Sequence, residues 1–114
     1  MTDILNKKQL KSADLVTLLK ARADGLVEFY LVDVREEYEY KSSRIKGVDF
    51  LVPTSNMEDS IKKIEHLKEK YIILYCHIGN RSSYCQKLFE QYGYKHIGNL
   101  TFGIISYKGD IDRD

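Results

Sequence analysis

Apolar residues along this chain fall into two kinds of block. Some are short continuous runs; others recur every three or four positions among charged residues. Phe29 to Val34 and Tyr71 to Tyr75 are continuous runs, the pattern of strands covered on both faces. Val48 to Val52, ended by Pro53, and Lys95 to Leu100 predict two further strands. Leu15, Leu18 and Leu19 predict a helix over about 13–22, with Ser12 as its cap and Gly25 at its exit. Met57, Ile61, Ile64 and Leu67 or Lys68 predict a helix over 57–69 capped by Asn56. Cys85, Leu88, Phe89 and Tyr92 form the inward stripe of a helix over 82–92, with Ser82 or Ser83 as its cap and Gly93 closing it. Glu36 to Ser43 reads as a short helix and Phe102 to Tyr107 as a short helix or turn. Met1 to Gln9 reads as an arm or edge strand, and Lys108 to Asp114 as a polar tail. Strands alternating with crossover-length helical segments predict an α/β fold: a doubly wound, mostly parallel sheet with helices on both faces.

Composition narrows the picture. The chain has 114 residues, enough for one domain (1–114) around one core. A net charge of +1 gives no global steering toward nucleic acid or membrane, so neither is expected as a partner. No apolar run approaches the length of a membrane span, and Met1-Thr2-Asp3-Ile4-Leu5 lacks the pattern of a secretory signal. Two cysteines make no disulfide framework; as free thiols they suit a reducing, cytoplasmic setting. His66, His77 and His96 show no metal-ligand spacing, so neither a metal nor a cofactor is expected.

The chemistry concentrates behind the Tyr71–Tyr75 strand, in Cys76-His77-Ile78-Gly79-Asn80-Arg81-Ser82. Cys76 falls at the carboxyl end of a buried strand, where open α/β sheets place their ligands. Gly79 permits a tight loop. Backbone N–H groups curling around the cysteine, the positive end of the following helix, and the charge of Arg81 would together favour a thiolate, the nucleophilic form of cysteine. Cys85, mid-helix on the apolar face, reads as core filler rather than as a resolving thiol.

These residues resemble the active loop of the rhodanese family of sulfurtransferases, Cys-x-x-Gly-x-Arg-Ser/Thr. The resemblance extends in order through Leu31-Val32-Asp33-Val34-Arg35-Glu36, Glu39/Tyr40, Arg44-Ile45-Lys46-Gly47-Val48, Gly93-Tyr94 and Asn99-Leu100-Thr101-Phe102-Gly103. It covers about residues 10 to 107. It departs at Arg44, Phe102 and Tyr107, where the family often has His, Gly and Trp, and nowhere within the loop.

The resemblance implies that the Cys76 thiolate takes a sulfane sulfur from a donor such as thiosulfate and passes it from a persulfide to cyanide or a thiol acceptor. His77, Ile78, Gly79, Asn80, Arg81 and Ser82 would then bind the transferred sulfur, and a sulfur-relay protein would fit as a partner. Asp33, Arg35 and Arg44 are expected at the rim, with an Asp33–Arg44 or Arg35–Glu ion pair holding the loops. Phosphatases and arsenate reductases of related fold use a similar Cys…Arg loop with one residue more, whereas here four residues separate Cys76 from Arg81. A tighter loop suits a single sulfur better than a tetrahedral oxyanion. A non-catalytic docking module is the third reading, and the presence of Cys76 weighs against it.

Overall fold

The computed structural model describes residues 2–113. Met1, at the start of the expected arm, and Asp114, at the end of the expected tail, lie outside the described residues. The elements run α1 (Thr2–Leu5), β1 (Gln9–Leu10), α2 (Ser12–Ala23), β2 (Tyr30–Asp33), α3 (Glu37–Ser42), β3 (Ser43–Ile45), β4 (Phe50–Leu51), α4 (Met57–Lys62), β5 (Tyr71–Tyr75), α5 (Asn80–Gln91), β6 (His96–Leu100) and β7 (Ile111–Arg113). Five strands form a parallel sheet in the order β1-β6-β5-β2-β4, which puts β5 at its centre. The fold is the α/β architecture that the alternation of runs predicts.

Side chains of a strand alternate between faces, and β5 shows what each face buries. Ile72 and Leu74 pack with Met57 and Ile61 of α4 and with Cys85 and Phe89 of α5. Ile73 and Tyr75 pack on the other side with Leu15 and Leu18 of α2. Leu31 and Val32 of β2 divide between the same two clusters. Both faces are therefore dry, which explains why these strands read as unbroken apolar runs.

Several expectations give way. The segment expected as an arm contains helix α1 before the edge strand β1. Helix α2 begins at Ser12 itself, with Lys11 at the cap position, where its N–H is bonded by Asp14 Oδ2 at 2.9 Å. Ser12 instead accepts a hydrogen bond from the Lys108 N–H at 2.8 Å. The 57–69 helix is broken: α4 ends at Lys62, and a 3-10 turn over Glu65–Leu67 follows. Ile64 and Leu67 are buried all the same, so the apolar spacing marked burial without marking a continuous helix. Asn56 stands at the cap position without a side-chain cap bond. The expected polar tail carries β7, which pairs antiparallel with β3 through Ser43↔Arg113 and Ile45↔Ile111. Tyr92 is 40% exposed rather than inward, and Tyr94 at 3% takes its place against Phe89. Gly93, at φ +93°, turns the chain so that the Tyr94 N–H reaches Phe89 O at 3.1 Å.

Candidate active site

Helix α5 starts at Asn80, ahead of both serines expected to cap it. Gly79, at φ +105°, is the residue before its first turn, and Ser82 lies within that turn, fully buried. The physical reason lies in Cys76. Its Sγ accepts the Ser82 N–H at 3.3 Å and the Gly79 N–H at 3.1 Å. A helix cap is a side-chain atom that accepts an N–H from the first turn, and here the sulfur fills that place. The Ser82 hydroxyl adds a third donor at 3.3 Å from Sγ, its proton shared with Gly79 O, also at 3.3 Å. Two backbone N–H groups and one hydroxyl, rather than the whole run of loop amides, are therefore aimed at Cys76. The residue itself is 1% exposed.

The loop is held from below by a segment with the same tight turns. Ile104 N–H bonds Cys76 O at 2.9 Å and Ile105 N–H bonds His77 O at 3.1 Å. A Cβ at Gly79 would stand 1.8 Å from Thr101 O, and one at Gly103, at φ +69°, would stand 2.2 Å from His77 O. Only glycine lets the two backbones approach this closely. The side chains of His77, Ile78 and Asn80 face solvent on the loop's outer side.

Arg81 does not offer its charge to the sulfur alone. Its two terminal nitrogens meet both carboxylate oxygens of Glu39, on α3, at 2.6 and 2.8 Å. The Glu36 N–H also bonds Glu39 at 3.0 Å. The Arg81 hydrogen bonds, ahead of the opposing effect of burial, hold the Glu39 carboxyl down at about 2, and the same pair raises Arg81. Glu39 is the partner that sequence reasoning missed. Its position in the motif, on a short helix at the rim that carries Cys76, was the available signal.

The rim residues pair with other partners than expected. Asp33 and Arg35 pair with each other, at 2.8 Å between Arg35 Nη2 and Asp33 Oδ2, and both are buried. The guanidinium of Arg35 also lies 5.6 Å from the centre of the Tyr75 ring. The Tyr75 hydroxyl in turn accepts the Ile45 N–H at 3.2 Å. The Asp33 carboxylate is thus taken by Arg35, and neither expected ion pair holds these loops. Arg44 bonds Tyr40 O at 3.0 Å and stacks over the Tyr40 ring. Cys85 is fully buried, 3.7 Å from Thr54 Oγ1, and burial pushes its thiol up.

The model of the rhodanese-like domain matches residues 14–110. The chain belongs to the rhodanese-like family. Its relatives include a candidate sulfur carrier protein of Bacillus subtilis, YrkF, 30% identical over 82% of this chain and 49% of the relative. A candidate mitochondrial thiosulfate sulfurtransferase of Schizosaccharomyces pombe is 30% identical over 82% of this chain and 72% of the relative. A tRNA uridine(34) hydroxylase of Acinetobacter baumannii is 35% identical over 74% of this chain. The chain spans about half the length of the Bacillus relative and 28% of the hydroxylase. Among solved structures, the BH2092 protein of Bacillus halodurans superposes with a TM-score of 0.75 at 27% identity, over 98% of this chain and 80% of that one. The rhodanese-like domain thus recurs as part of proteins with different names. Among the described residues, no helix is long and apolar enough to cross a membrane.

Proposed function

We propose that this rhodanese-like domain is a sulfurtransferase working through a persulfide on Cys76. The observation that carries the reading is the convergence of Gly79 N–H, Ser82 N–H and Ser82 Oγ–H on a single sulfur. Hydrogen-bond donors aimed at one atom favour the form in which that atom bears negative charge. In the first half-reaction the Cys76 thiolate attacks the outer sulfur of thiosulfate. A bond forms between Sγ and that sulfur, the donor's S–S bond breaks, and sulfite leaves with the electron pair. In the second, cyanide or a thiolate attacks the outer sulfur of the persulfide, and the Cys76 thiolate leaves. This is covalent, two-step catalysis. The same donors serve each sulfur anion in turn, since the transferred atom stands only about 2.05 Å beyond Sγ. His77, Ile78 and Asn80 form the exposed lip past which donor and acceptor approach. Arg81 fixes the loop through Glu39 and lends it the remainder of its charge.

The oxyanion-handling alternative fares less well, because both terminal nitrogens of Arg81 already bind a carboxylate. The bidentate fork that would take a phosphate or arsenate is occupied. A relay protein as physiological donor or acceptor belongs to this reading, and so does a cytosolic setting, for which two free thiols are suited. The test is mass spectrometry after incubation with thiosulfate. Wild type should gain one sulfur atom on the peptide containing Cys76, lose it on adding cyanide, and release thiocyanate. Cys76→Ser should do none of these while keeping its fold. Transfer by Cys76→Ser near the wild-type rate would sink the assignment.

A further inference from the structure

Three side-chain amides from three elements bond one another: Gln9 of the edge strand β1, Gln86 of α5 and Asn99 of β6. Gln86 and Asn99 are 6% and 1% exposed, so their polar atoms depend on partners inside the protein.

The direction of these bonds is imposed. Gln86 Nε2 donates to Lys8 O at 2.8 Å and to Ile97 O at 3.1 Å. Backbone carbonyls only accept, so both N–H groups of Gln86 are committed and its Oε1 alone is left for Gln9. Gln9 must therefore donate, from Nε2 at 3.0 Å, which leaves its own Oε1 to accept. Asn99 Nδ2 meets that oxygen at 3.1 Å, and the Thr101 hydroxyl meets it at 2.8 Å. Asn99 is left with a buried Oδ1 that has no partner among the described residues, so its orientation is set by Gln9.

Both ends of Gln9 lead to the donors around Cys76. Thr101 O stands 1.8 Å from where a Cβ of Gly79 would be, so the seat of Thr101 decides the seat of Gly79. The Gly79 N–H is one donor to Sγ. Gln86 follows Ser82 by four residues, one turn along the same face of α5. Ser82 supplies the other two donors. Gln9 itself lies outside the lining of the cleft beside His77.

We propose that Gln9 is a positioning residue for the sulfur loop, bracing Gly79 through Thr101 and Ser82 through Gln86. The kinetic part of the inference rests on the persulfide chemistry proposed above; the structural part stands without it.

The experiment compares wild type with Gln9→Met, which keeps the length and loses the polar atoms, and with Gln9→Glu, which keeps the size but offers Gln86 no N–H. Gln9 is exposed on an edge strand, so these variants should fold. In Gln9→Met, kcat for sulfur transfer from thiosulfate to cyanide should fall about tenfold, less than the loss of a whole anion-stabilising donor. KM should stay within about twofold, because Gln9 does not meet the substrate. Gln9→Glu should fall further at pH 7, since a carboxylate sets lone pairs against Gln86 Oε1. Thr101→Val combined with Gln9→Met should lose no more than Gln9→Met alone, as expected of two residues acting through one contact. Amide hydrogen exchange needs no turnover: Gly79 and Ser82 N–H should exchange about tenfold faster in Gln9→Met, with the β5 amides unchanged. Unchanged exchange at Gly79 and Ser82, additive losses in the double variant, or Gln9→Glu as active as wild type would each overturn the brace and leave the sulfurtransferase reading standing. Faster exchange at those two amides, in a protein that never acquires sulfur on Cys76, would overturn the sulfurtransferase reading and uphold the brace.

Discussion

Replacing Glu39 by Gln tests whether the Arg81 clasp holds the sulfur loop. The Glu39 carboxyl lies at about 2 instead of its ordinary 4.5, with the Arg81 hydrogen bonds as the largest cause. At about 1.36 kcal/mol per pH unit, that displacement corresponds to at most about 3.4 kcal/mol of folding stability at neutral pH. The Glu39 side chain is 17% exposed and that of Arg81 35%, so solvent screens the pair. Discounting for that leaves ~1–2 kcal/mol. A carboxyl held down in the folded state contributes stability above its unfolded pKa and loses it as pH falls through the folded one. The contribution should therefore be full at pH 7 and fade across the window from about 4.5 down to about 2. Urea denaturation of wild type and Glu39→Gln at a series of pH values reads it directly, since the other carboxyls cancel in the difference. The gap should be largest at pH 7 and have lost more than half its size by about pH 3. Sulfur transfer should fall along with it, because the unclasped loop no longer keeps its donors on Cys76. A gap that stays constant with pH, or a Glu39→Gln protein as stable and as active as wild type, would refute the clasp.

Two further substitutions separate the loop's backbone from its core. Gly79→Ala places a Cβ 1.8 Å from Thr101 O at φ +105°, so the loop must move. The strain should cost about 1–3 kcal/mol, and withdrawing one anion-stabilising donor should lower transfer by about a hundredfold, measured by urea titration and thiocyanate release. Cys85→Ala should keep most turnover while losing about 1 kcal/mol for a small cavity. Complete loss of turnover in folded Cys85→Ala would make Cys85 a participant in the chemistry.

The legible parts of the sequence were those in which one physical force acted alone. Strand β5 matches the run Tyr71–Tyr75 end to end, because burial on both faces demands apolar residues at every position. Cys76 was legible for the same reason, as the first residue past that run. Strands β3 and β7 left no such mark. Each has three residues and they pair with each other, so Ser43 reads as the end of a short helix and Ile111-Asp112-Arg113 as part of a polar tail. The cap of α5 is misplaced because a tertiary group does the capping. Ser82 looked like a cap by residue type, yet the Cys76 sulfur, brought in by β5, already receives the first-turn N–H. Arg81 shows the same limit. Its charge is plain in the sequence, but its partner, Glu39, stands 42 positions upstream.

That partner changes the electrostatic argument for the site. From the sequence, Arg81 promised a full positive charge beside Cys76. In the structure Glu39 offsets much of that charge, while Gly79 N–H, Ser82 N–H, the Ser82 hydroxyl and the amino end of α5 bear directly on the sulfur. Fixed dipoles aimed at one point suit a monatomic anion that appears and disappears in place. A tetrahedral oxyanion spreads its charge over several oxygens and needs the guanidinium fork. Freeing that fork would first cost the ~1–2 kcal/mol of the Glu39 pair and expose a carboxylate to the incoming anion. The clasp thus supports the proposed sulfur chemistry for two reasons at once: it fixes where the donors point, and it occupies the group that an oxyanion would need.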